Sequence, residues 1–229
     1  MALVSSTHCV FRRRRKEARP AELLDAALAL FVEKGFAATR SEEVARHAGV
    51  SKGTLYLYFP SKEELLKAVI QQHLADRIEA GAQEAEQFQG PTTELMEQLL
   101  VDWWVRVYDS PASGVFKLIL TEVRNFPEIA QFYSERVAIP GNALVSALLQ
   151  RGIARGEFRP VNIPAAVHSI LMPLILLCVH KHSLGACGVI TDLVGDPKGF
   201  MRAHFALIFR GLEVRPEDGI AAALPRRPA

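Results

Sequence analysis

Two stretches of this sequence carry side chains whose types and spacing could do chemistry. The first is Lys52-Gly53-Thr54-Leu55-Tyr56-Leu57-Tyr58. Read as a helix, it points Leu55 and Phe59 inward, while Lys52 and Tyr56 form one outward row and Thr54 and Tyr58 another. The outward rows carry an ammonium, a hydroxyl and two phenols, all donors of the kind that meet phosphate oxygens and base edges. Lys62 follows in the first turn of the next helix, where its charge and the free backbone N–H groups suit a phosphate. The second stretch holds Cys178, His180, His182 and Cys187. Thiolate and imidazole ligands suit zinc or copper, and paired cysteines suit oxidation sensing. Cys178 and His182 are four apart and share a face, but His180 points elsewhere, which spoils a four-ligand site. The expectation is therefore a core cysteine with helix-end histidines that complement the dipole, and neither a metal nor a cofactor.

The donors of the first stretch need elements that hold them. A helix opens at Pro20, a favoured first position, and lines up Leu23, Leu24, Ala27, Leu28, Phe31 and Val32. Gly35 ends it in the place a left-handed residue is wanted. Thr39-Arg40-Ser41-Glu42 then matches a capping box, with Thr39 capping the next helix and Glu42 reaching back. That helix is short, with Val44, Ala45 and Ala48 inward. Ser51 caps a third helix that Pro60 closes, and Ser61-Lys62-Glu63-Glu64 opens a long fourth one ending near Gly90-Pro91. Two short helices joined through Ala48-Gly49-Val50-Ser51 outline a helix-turn-helix. Its tight corner needs the positive φ that Gly49 tolerates, and Ala45 lets the helices approach closely. The polar face of the second helix fits the major groove of double-stranded DNA, which is about 12 Å wide.

Further helical blocks are expected at about 93–108, 114–122, 127–136, 142–155, 163–182 and 197–213, each bounded by Pro, Gly, Asn or Ser. No run alternates as a half-buried strand would, so the fold class is all-α: an N-terminal three-helix helix-turn-helix domain followed by a larger helical domain. No dinucleotide loop, P-loop or Ser/His/Asp arrangement is visible, so catalysis is not expected.

Of the 229 residues, 49% are hydrophobic and 23% charged, which is globular rather than disordered. The net charge of +2 is small, but the segment through Leu66 holds 11 basic against 8 acidic residues. The excess positive charge thus lies where a polyanion would be met. Three scattered cysteines suit a reducing cytoplasm, and the N-terminus has the wrong order for a secretory signal. The apolar segment 163–179 contains His168 and Pro173 and falls short of a spanning helix, so no membrane is expected. Arg12 to Lys16 form a basic arm, read as a solvated extension rather than a groove-binding one.

The stretch from Gly35 to Ile70, GFAATRSEEVARHAGVSKGTLYLYFPSKEELLKAVI, resembles the DNA-binding region of the TetR family. Thr39, Val44-Ala45, Ala48-Gly49-Val50-Ser51, Gly53, Leu55-Tyr56, Tyr58-Phe59, Ser61-Lys62 and Leu65 all stand where that family puts them. The resemblance implies a homodimeric regulator of transcription, a repressor by family default, that binds operator DNA and a small-molecule effector. It implies phosphate contacts for Thr39, Arg40, Lys52, Tyr56 and Lys62, and puts Lys52, Gly53, Thr54 and Tyr58 nearest the bases. Ser41 and Leu57 depart from the common pattern: Ser41 contacts DNA or packs loosely, and Leu57 meets a thymine methyl or is partly exposed. The stretch from Phe116 to Ile129 is faintly similar to the AefR-like branch.

These readings divide the chain into a flexible basic arm (1–18), the DNA-binding domain (19–66), an effector-binding and dimerisation domain (67–214) and a disordered tail (215–229). The last two long helices, about 163–182 and 197–213, are expected to pair with a second copy in a four-helix interface. A pocket for a hydrophobic or aromatic effector of unknown identity is expected among Trp103, Trp104, Tyr108, Phe116, Phe126, Tyr133, His168 and Met172. Glu122 and Arg124 are expected on a surface turn.

Overall fold

A helix buries only one stripe, so a chain of amphipathic segments must stack them against one another. The computed structural model describes residues 5–188 and 194–214, with side chains from residue 20 onward. The order is α1 (Ser5–Lys34), α2 (Ser41–His47), α3 (Lys52–Tyr58), α4 (Lys62–Ile70), α5 (Asp76–Gln87), α6 (Thr92–Met96), α7 (Asp102–Asp109), α8 (Ser113–Glu122), α9 (Pro127–Tyr133), α10 (Ile139–Ala154), α11 (Ile163–Lys181) and α12 (Pro197–Leu212). Among the described residues the one β feature is a bridge between Phe158 and Glu213. The tail 215–229 lies outside the described residues.

Three π turns weld neighbouring segments into rods: Gln71–Ala75 joins α4 to α5, Glu97–Val101 joins α6 to α7, and Ser134–Ala138 joins α9 to α10. The last of these corrects the expected break between 136 and 142. Pro140 has no N–H to donate, and the widened π register just before it absorbs the missing bond, so the helix continues. The first helix likewise starts earlier than Pro20. Residues 5–19 are helical backbone, and the Arg, Lys, Glu and Ala there favour a helix by propensity without any apolar period.

The N-terminal core is the one the periodicity indicated. Leu23, Leu24, Ala27, Leu28 and Phe31 of α1 are buried against Val44 and Ala45 of α2, Leu55 of α3 and Leu65, Leu66, Val69 and Ile70 of α4. Gly35 and Gly49 take φ of 88° and 66°, the left-handed values their turns require. Ser51 and Ser61 cap α3 and α4, accepting from Thr54 N at 3.1 Å and Glu64 N at 3.0 Å.

The second domain packs α8 and α10 against α11. In α11, Val167, Ile170, Leu174, Leu177 and Cys178 are buried while Met172 and Leu176 are exposed. This is the helix long and apolar enough by composition to cross a membrane, and its buried stripe is committed to its own domain. α12 lies beside it, with Met201, Phe205, Phe209 and Leu212 inward and Leu207 exposed.

The two domains meet along α1 and α8. Phe36 stands edge-on to Phe126 with ring centroids 4.8 Å apart, and Lys117 Nζ donates to the Val32 carbonyl at 3.3 Å. Glu122 is buried at this joint beside Gly35, which corrects its expected place on a surface turn. Arg124 is exposed.

Candidate nucleic-acid interface and ligand cavity

The corner between α2 and α3 is closed by Gly49 N donating to Arg46 O at 3.1 Å and Val50 N to Ala45 O at 2.9 Å. It holds α3 with Leu55 fully inward and Lys52, Gly53, Tyr56 and Leu57 outward. Thr54 and Tyr58 are half-buried on the flank, and the Thr54 hydroxyl lies 2.9 Å from that of Ser51. Lys52 Nζ bonds the Glu42 carboxylate across the two helices, which holds the Glu42 carboxyl below its usual range. Both partners are exposed, so Lys52 can exchange Glu42 for another anion at little cost. Arg40 is exposed at the start of α2.

The neighbouring residues have different places. Thr39 is buried, its hydroxyl donating to the carbonyls of Gly35 at 2.7 Å and Leu30 at 3.3 Å. The expected capping box is shifted by one residue: Arg40 precedes α2, and Glu43, not Glu42, accepts from the Arg40 N–H at 3.0 Å. Ser41 is buried in the first turn of α2. Lys62 turns away from the groove-facing side. Its ammonium donates to the carbonyls of Phe36 (2.8 Å), Ala37 (3.2 Å) and Thr39 (3.1 Å) and sits 4.5 Å from the Phe36 ring centroid. It clips the turn after α1 to α4.

A cavity of about 620 Å³ opens between α5, α7, α8, α10 and α11. Of the eight residues expected to line it, Trp103, Trp104, Phe116, Tyr133, His168 and Met172 do. Trp104 stacks on Phe116 with centroids 5.5 Å apart, and Trp103 stands edge-on to Trp104 at 4.9 Å. Burial pushes the Tyr133 phenol up to about 12, so it stays a neutral donor. His168 Nδ1 donates to the Pro164 carbonyl at 2.8 Å. Tyr108 lies elsewhere: Lys181 covers its ring at 4.6 Å and bonds its carbonyl. Phe126 belongs to the domain joint. The periodicity missed Arg77, Asp102, Arg106 and Asn142, which also line the cavity. Two glycines inside helices, Gly81 and Gly141, line it too.

The sulfur and imidazole groups do not converge. Cys178 is fully buried, and burial pushes its thiol up to about 12, away from the reactive thiolate form. Cys187 is exposed. His182 lies 2.8 Å from the Ser113 hydroxyl, and burial beside Lys181 and Lys117 pushes its pKa down to about 4. Among the described residues no three His, Cys, Asp or Glu side chains are grouped to hold a metal.

A helix-turn-helix with exposed donors, joined to a helical domain that encloses an apolar cavity, defines a DNA-binding regulator of transcription. The chain belongs to the TetR family. Residues 23–69 match the family model described as bacterial regulatory proteins, tetR family, and residues 96–183 match the tetracyclin repressor-like C-terminal domain. The HTH-type transcriptional regulator YfiR of Bacillus subtilis is 33% identical over 153 residues, covering 66% of this chain and 73% of YfiR. The fatty acid degradation regulator FadR of Bacillus halodurans shares the fold with a TM-score of 0.67 at 23% identity, over 84% of this chain and 99% of that one. FadR of Bacillus subtilis, solved in complex with stearoyl-CoA, gives 0.66 at 20% identity over 84% and 99%. These relatives do not single out the AefR-like branch within the family.

Proposed function

We propose that this chain is a dimeric repressor released from its operator when a small, largely hydrophobic or aromatic effector fills the cavity. The observation that carries the proposal is a shared rod. Leu65, Leu66, Val69 and Ile70 at one end of α4–α5 belong to the core of the DNA-binding domain, while Arg77, Ile78 and Gly81 further along form a cavity wall. An effector that prefers one position of this rod changes where α3 sits, and operator affinity then shifts by that difference in preference. Arg40, Lys52 and Tyr56 hold phosphates, Gly53 lies nearest the bases, and Thr54 and Tyr58 flank it. Thr39, Ser41 and Lys62 support them from behind.

The exposed Leu176 of α11 and Leu207 of α12 form part of the surface that a second copy covers, in a four-helix isologous contact. Two copies present two α3 helices to half-sites about one DNA turn apart. The stearoyl-CoA bound by FadR of Bacillus subtilis makes fatty acyl-CoA the first effector class to try, ahead of aromatic acids.

The test is fluorescence anisotropy with DNA from upstream of the chain's own gene, over a salt series and with added acyl-CoA. Lys52→Ala weakens binding. Trp103→Ala keeps operator affinity and loses the response to effector. Release by every amphiphile alike, or a Trp103→Ala variant that responds as before, refutes the cavity as the effector site.

A further inference from the structure

Leu57 is 79% exposed, more than any other large hydrophobic side chain among the described residues. Single exposed leucines are ordinary on protein surfaces, but the placement of this one is not. Successive residues of a helix are about 100° apart, so with Leu55 buried the crest opposite is made by Gly53 and Leu57. That crest is the part of α3 that reaches deepest into any groove the helix enters.

Gly53 sharpens the point. Its φ is not positive, and a Cβ there would meet only the Ser51 hydroxyl, at 3.8 Å. The fold itself does not ask for glycine, which has a low helix propensity. What glycine supplies is a low crest that lets the backbone come close to a partner. Leu57, one turn on, is an apolar knob on that crest. Arg46 of α2, Lys52 of α3 and Arg40 just before α2 are all exposed on the helix-turn-helix that carries the knob, so the partner we infer is a polyanion that offers an apolar group. On the floor of the major groove the apolar group is the C5-methyl of thymine.

We propose that Leu57 reads a thymine methyl in each half-site, with Gly53 permitting the approach. The proposal rests on the operator-binding reading above. The experiment first selects preferred duplexes from a random-sequence library with the full chain, then replaces each thymine of the selected duplex by deoxyuridine, which removes the methyl and keeps the base pair. At one thymine per half-site the loss weakens wild-type binding about fourfold, and about fifteenfold when both half-sites are changed. Leu57→Ala, which leaves the fold intact because the side chain is exposed, is insensitive at the same positions. Gly53→Ala melts no lower than wild type yet binds the selected duplex more weakly.

Three outcomes overturn parts of this reasoning separately. If no sequence is enriched, the operator-binding reading falls and this proposal falls with it. If sequences are enriched but no deoxyuridine effect disappears in Leu57→Ala, only the proposal is refuted. If Gly53→Ala binds as well as wild type, the close approach is refuted.

Discussion

Replacing Lys62 by methionine removes an ammonium and keeps most of the apolar stem. In the resemblance to its family Lys62 is a phosphate contact, whereas in the structure its three donors are spent on Phe36, Ala37 and Thr39 carbonyls. The two roles differ in what they change. A hydrogen bond from a charged group contributes about 1.5–3 kcal/mol, and a carbonyl that regains water on losing it recovers part of that. The Ala37 bond is exposed and the other two part-buried, so the net loss is about 2 kcal/mol. For a chain of this size that lowers the melting midpoint by about 4–8 °C. Each phosphate contact contributes about 0.9 to the slope of log affinity against log salt, so a contact from both subunits contributes about 1.8. The expected result for Lys62→Met is a lower midpoint at fixed protein concentration, a uniformly weaker operator complex, and an unchanged salt slope. An unchanged midpoint with a slope reduced by about two would refute the clip and restore the phosphate contact.

Three further predictions concern the second domain and its joint. A Cβ on Gly114 would lie 2.3 Å from Val32 Cγ2, so Gly114→Ala forces α8 away from α1 and costs about 1–3 kcal/mol; adding Val32→Ala makes room and recovers most of the loss in a denaturant titration. The folded His182 titrates near 4 against 6.5 for the free side chain, so the unfolded chain takes up the proton first as pH falls. Its contribution is whole above about pH 6.5 and is lost down to about pH 4, and the melting midpoint of His182→Gln should fall less steeply than wild type across that window. Alkylation at pH 8 followed by peptide mapping should label Cys187 in the native protein and Cys178 only after unfolding, because the latter thiol is buried and stays protonated; rapid native labelling of Cys178 would contradict its place in the core.

Helix formation, capping and apolar periodicity are local, and they made the N-terminal domain legible in the sequence. Gly35 and Gly49 stand at turns that need positive φ, the Ser51 and Ser61 hydroxyls accept capping bonds from backbone N–H groups three residues on, and the stripe from Leu23 to Phe31 repeats with the helical period. The orientation of α3 followed from Leu55 and Phe59 alone. What local pattern could not decide was where a long side chain finds its partners. Lys62 reaches back across more than twenty residues to the turn after α1, and Thr39 points inward to Gly35 and Leu30. Neither contact has a period or a motif. The cavity divides in the same way: its aromatic wall was expected from residue type, but Arg77, Asp102, Arg106 and Asn142 join it only because rods from distant parts of the chain converge. Tyr108 and Phe126, of the same type, are drawn off by Lys181 and Phe36. The sequence by itself determined most of the helical segments and the apolar face of each, because propensity and periodicity act within a few residues; the start of α1 before Pro20, which carries no apolar period, and the join of α9 to α10 escaped it. Tertiary packing alone decided which of two chemically equal side chains lines the cavity and which braces the fold, because that choice depends on neighbours brought together from far along the chain.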